Sequence, residues 1–238
     1  MSVPYESLAG RERSTQALID WALAQIAEKY GQGGSEPHPS HDERHTKWVM
    51  YAQDLIIEKI NDNSGEYGDY IDPHTAELMR LAAVFHDIVH TPGDPDNEEK
   101  SARMLAAMVR GAGAYSESEI ELAQRILMST TLKFDEGGQI IQGAEEGFLP
   151  GQILADADLS VIGARYPIFW ESVGRYLLES KPMGWQFSAE DLVEFADREI
   201  KFLDSHQFLT PAAEKLFPHK PTNKFQLART KIANSKLK

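Results

Sequence analysis

The stretch LAAVFHDIVH, residues 81 to 90, puts an imidazole and a carboxylate, His86 and Asp87, at the end of an otherwise apolar run. Upstream, Asp72-Pro73 supplies an N-cap followed by a first-turn proline, so the run reads as the close of a helix that starts at residue 73. Leu78, Met79, Ala82, Ala83, His86 and His90 fall along one side of that helix. The segment HTPGDPDN, with two prolines and a glycine, then breaks it. An ionised Asp in apolar surroundings is costly unless paired or bound to a metal, and a divalent cation would satisfy both side chains together. Adjacent helical residues diverge by about 100°, so both reach one ion only if it sits off the helix end, or if Asp87 bridges two ions. Further ligands have to come from other helices.

Two flanking helices offer them. From about Glu43 to Ile60, Val49, Ala52 and Ile56 form an inward stripe, and His45 precedes them by 4, 7 and 11 residues, which turns it toward the core. A later helix, about Gln152 to Ala164, carries Asp156 and Asp158. Residues two apart on a helix point roughly 200° from one another, so these carboxylates cannot share a face. Asp158 lies between Leu154 on one side and Val161 and Ile162 on the other, which assigns it to the buried face and leaves Asp156 on the flank, for a supporting contact or a salt bridge.

The rest of the chain is helical too, and no segment pairs alternating β-branched residues with hairpin dipeptides. A first helix spans about Ser14 to Tyr30 and stops at Gly31, expected as a left-handed cap. The polar segment NDNSGEYGDY is a surface connection. A fourth helix, roughly Glu98 to Arg110, closes at Gly111, and Ser116 to Glu119 form a capping box that opens a fifth. DEGGQIIQGAEEGFLPG follows as a long loop. Ser188 caps a further helix, and Thr210-Pro211 starts a short one before a basic tail. The expected architecture is one all-α unit over residues 1–238, with a core at about 40–165 and a helical extension at about 166–238.

Composition narrows the function classes. With 42% apolar and 26% charged residues, the 238-residue chain has the make-up of a packed globular protein. No apolar run approaches the ~18 residues of a membrane span, and MSVPYESLAGRER lacks a secretory apolar region, so a cytoplasmic protein without membrane contact is expected. Absence of cysteine excludes thiolate catalysis and leaves histidine and carboxylates as the metal ligands. The 24 basic and 37 acidic residues give a net charge of −13, which disfavours polynucleotide binding. Six basic residues and no acid lie between Lys220 and Lys238, either a solvated helix face or a contact for an anionic partner.

His45, His86, Asp87 and Asp158, on inward faces of three helices, make the pattern of a metal site in a helical bundle. With HDERHTKWVMYAQDL, LAAVFHDIVH, NEEKSA and ILADADLSVIG in that order, the chain resembles the HD-domain superfamily of metal-dependent phosphohydrolases, and within it a small bacterial subgroup of predicted HD phosphohydrolases. The resemblance covers about Ser40 to Ile162. It implies an all-helical HD bundle with His45, His86, Asp87 and Asp158 holding one divalent metal ion (Mn, Fe, Co, Ni, Zn or Mg), and an NExxSA element at Asn97 to Ala102. A further His that related sequences carry before the DADL segment is missing, with Lys133 nearby, which favours one metal over two. The implied activity is hydrolysis of a phosphomonoester or nucleotide by metal-activated water. Asp87 and Glu98 are the catalytic candidates, Glu98 or Glu99 as proton relay, and Lys133, Arg165 and Arg175 are candidate phosphate contacts.

Two rival readings use the same residues. His86 and His90 at i and i+4 mimic the HExxH zinc-protease motif, but Asp87 is one methylene shorter than the general base that motif needs. A non-catalytic HD-type nucleotide sensor or scaffold with a structural metal would draw on the acidic surface, the loop near Gly137-Gly138 and the basic tail. His41 and His90 are candidates for supporting or substrate contacts, whereas nothing distinguishes His38, His74, His206 and His219.

Overall fold

In the computed structural model, residues 5–64, 69–135 and 140–235 are described, with side chains from residue 10 onward. Their architecture is all-α: ten α-helices, one short 3-10 helix and a single hairpin. The first half contains α1 (Tyr5–Tyr30), α2 (Glu43–Asp62), α3 (Pro73–Phe85), α4 (Asn97–Ala112) and α5 (Glu117–Met128). Then come β1 (Leu132–Phe134), β2 (Ile140–Gln142), α6 (Leu149–Leu159) and the 3-10 helix Ser160–Gly163. The C-terminal helices are α7 (Tyr166–Glu179), α8 (Ala189–Ser205), α9 (Pro211–Leu216) and α10 (Lys220–Ser235). No helix among the described residues is long and apolar enough to cross a membrane.

Helix α3 is the axis. It packs against α1, α2, α4, α5 and α6, and Leu81 through Phe85 are all fully buried. A helix that is apolar all round must lie inside, so the last turn of α3 buries every face rather than the one side its spacing suggested. Its start is as expected: Asp72 accepts from the backbone of His74 and Thr75 ahead of Pro73. The Ser116 capping box and the Ser188 and Thr210 caps also form as read.

A second, smaller core joins the C-terminal helices through Ile162, Phe169, Val173, Phe195, Leu203 and Leu227. Polar clamps tie it to the main bundle. Asn223 of α10 donates to the carbonyls of Ile162 and Ala164, each at 2.9 Å. Gly163 lies so close to Phe217 that a Cβ would meet its carbonyl oxygen at 2.1 Å, which excludes any side chain there. The basic tail finds its acids within the chain: Lys224 pairs with Asp204 and Lys231 with Asp197, both on α8. Lys236 and Lys238 lie outside the described residues.

Several expectations are corrected. The long loop contains β2, which pairs antiparallel with β1 in the register Leu132 to Gln142 and Phe134 to Ile140; strands of three residues are too short to show a period. Gly137-Gly138 and part of the 61–70 connection lie outside the described residues. Gly31 does not take the left-handed conformation; Gly33, at φ 86°, does. Likewise α4 runs past Gly111 and closes at Gly113, φ 68°.

Candidate metal centre

The sequence starts α2 where Asp42, almost fully buried, caps it by accepting from the backbone N–H of Arg44 (2.9 Å) and His45 (3.3 Å). That cap fixes the first turn, so the His45 side chain leans toward α3. There α3 ends at Phe85, with His86 as its C-cap and Asp87 in the turn beyond. The two consecutive side chains meet off the end of the helix, where His86 Nε2 and Asp87 Oδ2 are 3.1 Å apart. From α6, Asp158 approaches the same point.

The four side chains meet closely. His45 Nε2 and His86 Nε2 are 3.2 Å apart. Asp158 Oδ1 stands 3.1 Å from His45 Nε2 and 3.4 Å from His86 Nε2, and Asp87 Oδ2 stands 3.4 and 3.1 Å from the same two nitrogens. Donors on one first-row cation, at bond lengths of about 2.0–2.2 Å, sit roughly 3.0–3.5 Å from one another. His86 is also held in a suitable orientation: its Nδ1–H donates to Ala83 O at 2.7 Å, which turns Nε2 toward the cluster. The donor set and spacing therefore fit a divalent cation.

Electrostatics agree with the geometry. Burial alone would expel charge from His45, but Asp158 and Asp87 outweigh it and lift its pKa to about 9. His86 is raised well above its usual value by the same carboxylates against the same burial penalty. Conversely, burial is overcome at Asp158, which His45 and His86 lower to about 2, and Asp87 is lowered well below the carboxylate range. Two ionised carboxylates thus require positive charge between them, whether protons on the imidazoles or a cation.

Asp156 has a different task from the flank role expected of it. It is fully buried, more so than Asp158, and accepts from Leu209 N (2.7 Å), Thr210 N (2.8 Å) and Thr210 Oγ1 (2.7 Å). Because α6 is packed by α2, α3 and α5 on one side and α9 on another, both of its carboxylates face protein. Asp158 faces the cavity, and Asp156 docks the start of α9. Burial raises Asp156 to about 6 in spite of these three donors.

The segment matching NExxSA braces the turn after His86-Asp87. Asn97 accepts from Thr91 N and donates to Thr91 O, both at 2.9 Å, and Ser101 Oγ bonds Val89 N and O at 3.1 and 3.2 Å. Glu98, beside it, reaches the cavity wall; burial first, then the fields of Asp87 and Asp158, raise its pKa. Glu99 instead is exposed and pairs with Arg103.

The cluster opens on a cavity of about 330 Å³ between the two cores. Its apolar wall includes Leu132, Phe134, Ile162, Phe169, Val173 and Phe202, and its far side carries Glu199, pushed up to about 7 by burial. None of the three basic candidates lines it: Lys133 is exposed on β1, Arg165 is exposed, and Arg175 faces Glu171 (3.2 Å) and Asp42 (3.6 Å).

The zinc-protease reading fails on geometry. His90 lies five residues beyond the end of α3, so it does not share a helix face with His86, and its Nε2 lies 3.4 Å from Glu179 Oε1. Glu179 closes a second group that includes His38, which the sequence had not distinguished. His41 Nδ1–H donates to Glu179 Oε1 at 2.5 Å, and Ser40 N and Oγ donate to its Oε2, both at 2.8 Å. Residues 139 apart leave no local pattern to read. Compared with protein-family models the chain matches none, and it matches no curated protein.

Proposed function

We propose that this chain is an HD-type metal-dependent phosphohydrolase that cleaves a phosphomonoester or nucleotide at the His45, His86, Asp87 and Asp158 cluster. The observation that carries the reading is the convergence of donor atoms from His45, His86 and Asp158, with Asp87 Oδ2 within 3.4 Å of both imidazoles, beside a cavity large enough for a small molecule. A divalent cation held there supplies Lewis acidity toward a phosphoryl oxygen and acidifies a water molecule at neutral pH.

The chain's own groups supply the rest. The Ala83 carbonyl, accepting from Nδ1–H, turns His86 Nε2 toward the cluster, where a cation would take the place of its proton, and Asp87 and Asp158 would balance the charge of that cation. Glu98, on the cavity wall with its pKa raised by burial and by the fields of Asp87 and Asp158, is our candidate for delivering a proton to the leaving oxygen. The aromatic and aliphatic wall from β1, α7 and α8 receives the uncharged body of the substrate and keeps water from it. Glu199, neutral or ionised near pH 7, offers a polar contact on the far side.

The test is a phosphoester panel with added Mn, Co, Ni or Mg, run on wild type and on His86→Ala and Asp158→Ala. Turnover in wild type that falls to background in both variants is expected. Metal-loaded wild type that hydrolyses no phosphoester would sink the enzymatic reading and favour a sensor or scaffold.

A further inference from the structure

We propose that His38, His90 and Glu179 form a second divalent-cation site, separate from the first and sharing no ligand with it. One ring nitrogen each of His38 and His90 and a Glu179 carboxylate oxygen all lie within 4.8 Å of one another. Glu179 Oε1 is 3.4 Å from His90 Nε2 and 4.0 Å from His38 Nδ1. Two imidazoles and one carboxylate are a donor set for Zn, Co, Ni, Fe or Mn, and three protein ligands leave positions open for solvent or substrate.

The site is built rather than incidental. Its three residues come from the segment before α2, the segment after α3 and the last position of α7, and all three side chains are largely buried, at 14%, 12% and 8% exposure. Tyr30, at the end of α1, anchors both histidines: its carbonyl accepts from His38 N at 3.0 Å and its hydroxyl accepts from His90 N at 2.7 Å. Metal-ligating carboxylates are themselves held by hydrogen bonds, and Glu179 receives three, from Ser40 N, Ser40 Oγ and His41 Nδ1. A carboxylate anchoring a loop needs one such partner. His38 Nδ1, at 4.0 Å from Glu179 Oε1, is too far to hydrogen-bond it, a spacing that a cation shared with His90 would fill.

The position suggests what the cation does. The His41 ring stacks on His90 at 3.8 Å and meets His45 edge to face at 5.8 Å, so the second group adjoins the first along the cavity. No lysine or arginine among the described residues lines that cavity, whereas Asp87, Glu98, Asp158 and Glu199 do. An anionic substrate would meet net repulsion unless bound cations reverse the sign. This role, though not the site itself, rests on the phosphoester reading above.

The experiment is metal stoichiometry by equilibrium dialysis and elemental analysis of the full chain, stripped and reloaded with Zn(II), with the visible spectrum of the Co(II) form as a second readout. Wild type should hold two ions. Glu179→Gln, which keeps the Ser40 contacts, and His38→Ala should each hold one and lose one set of Co(II) bands. His86→Ala should lose the other set. Wild type that holds a single ion, lost in His86→Ala and unaffected in Glu179→Gln, would overturn the second site and leave the first standing. Two ions retained in both Glu179→Gln and His38→Ala would also overturn it. If His86→Ala and Asp158→Ala keep their metal while Glu179→Gln loses it, the second site stands and the first assignment fails.

Discussion

The bundle around α3 and the cluster of C-terminal helices are both apolar inside, but they are held in different ways. The bundle closes on a helix buried on every face, and its order follows from area removed from water. Helices α7, α8 and α10 share only a handful of buried apolar residues and depend on directed polar contacts, with Asn223 gripping the 3-10 helix, while Asp156 grips the start of α9, whose Ala212 and Ala213 join the main core. The lesson is one of division: the first region gives rigidity to the His45 cluster, and the second provides one wall of the cavity and Glu179.

Substitutions separate the two. Phe85→Ala empties the centre of the bundle, and about 3–5 kcal/mol of stability should be lost in denaturant unfolding of the whole chain. Asp156→Ala leaves two backbone donors and a hydroxyl without their acceptor, and a loss of about 2–4 kcal/mol is expected. Hydrogen exchange should then rise in α9 and α10 before α3; uniform exchange would erase the distinction between the regions.

Acid should act on the C-terminal side first. His206 is buried with no partner on either ring nitrogen, and burial, helped by the charge of Lys220, lowers its pKa to about 3. The unfolded chain takes up that proton near pH 6.5 while the folded chain does not, so stability is full above about 6.5 and falls as pH drops toward 3. By pH 4 this one residue should remove about 3 kcal/mol. His206→Gln should show a flatter stability profile between pH 4 and 6.5 than wild type in matched melts. The smallest effect belongs to Lys231→Ala, which breaks a half-exposed pair with Asp197 and should change stability by less than about 0.5 kcal/mol.

Much of the local structure was legible because its signals are local. Asp72-Pro73, Ser116 with Glu119, Ser188 and Thr210 act within one helical turn, and all four caps form. His45, His86, Asp87 and Asp158 could be picked out together because each interrupts an apolar face. Asp156 was misassigned since helical spacing shows which residues share a face but not how many faces a neighbour covers. Glu179 and His38 were missed for a related reason. Their meeting depends on where α7 ends relative to the segment before α2, which is set by the packing of the smaller core.

That the cavity lies between two cores has a thermodynamic corollary. Without ligand, the weaker helical unit can open with a free energy of its own, below that of the bundle. A molecule or ion gripping both walls binds only the closed form, and so adds its binding free energy to the docking of one region on the other. Calorimetric unfolding should then pass from a broad or split transition in the stripped chain to a single sharper one in the loaded chain, so that occupancy governs cooperativity as well as melting temperature.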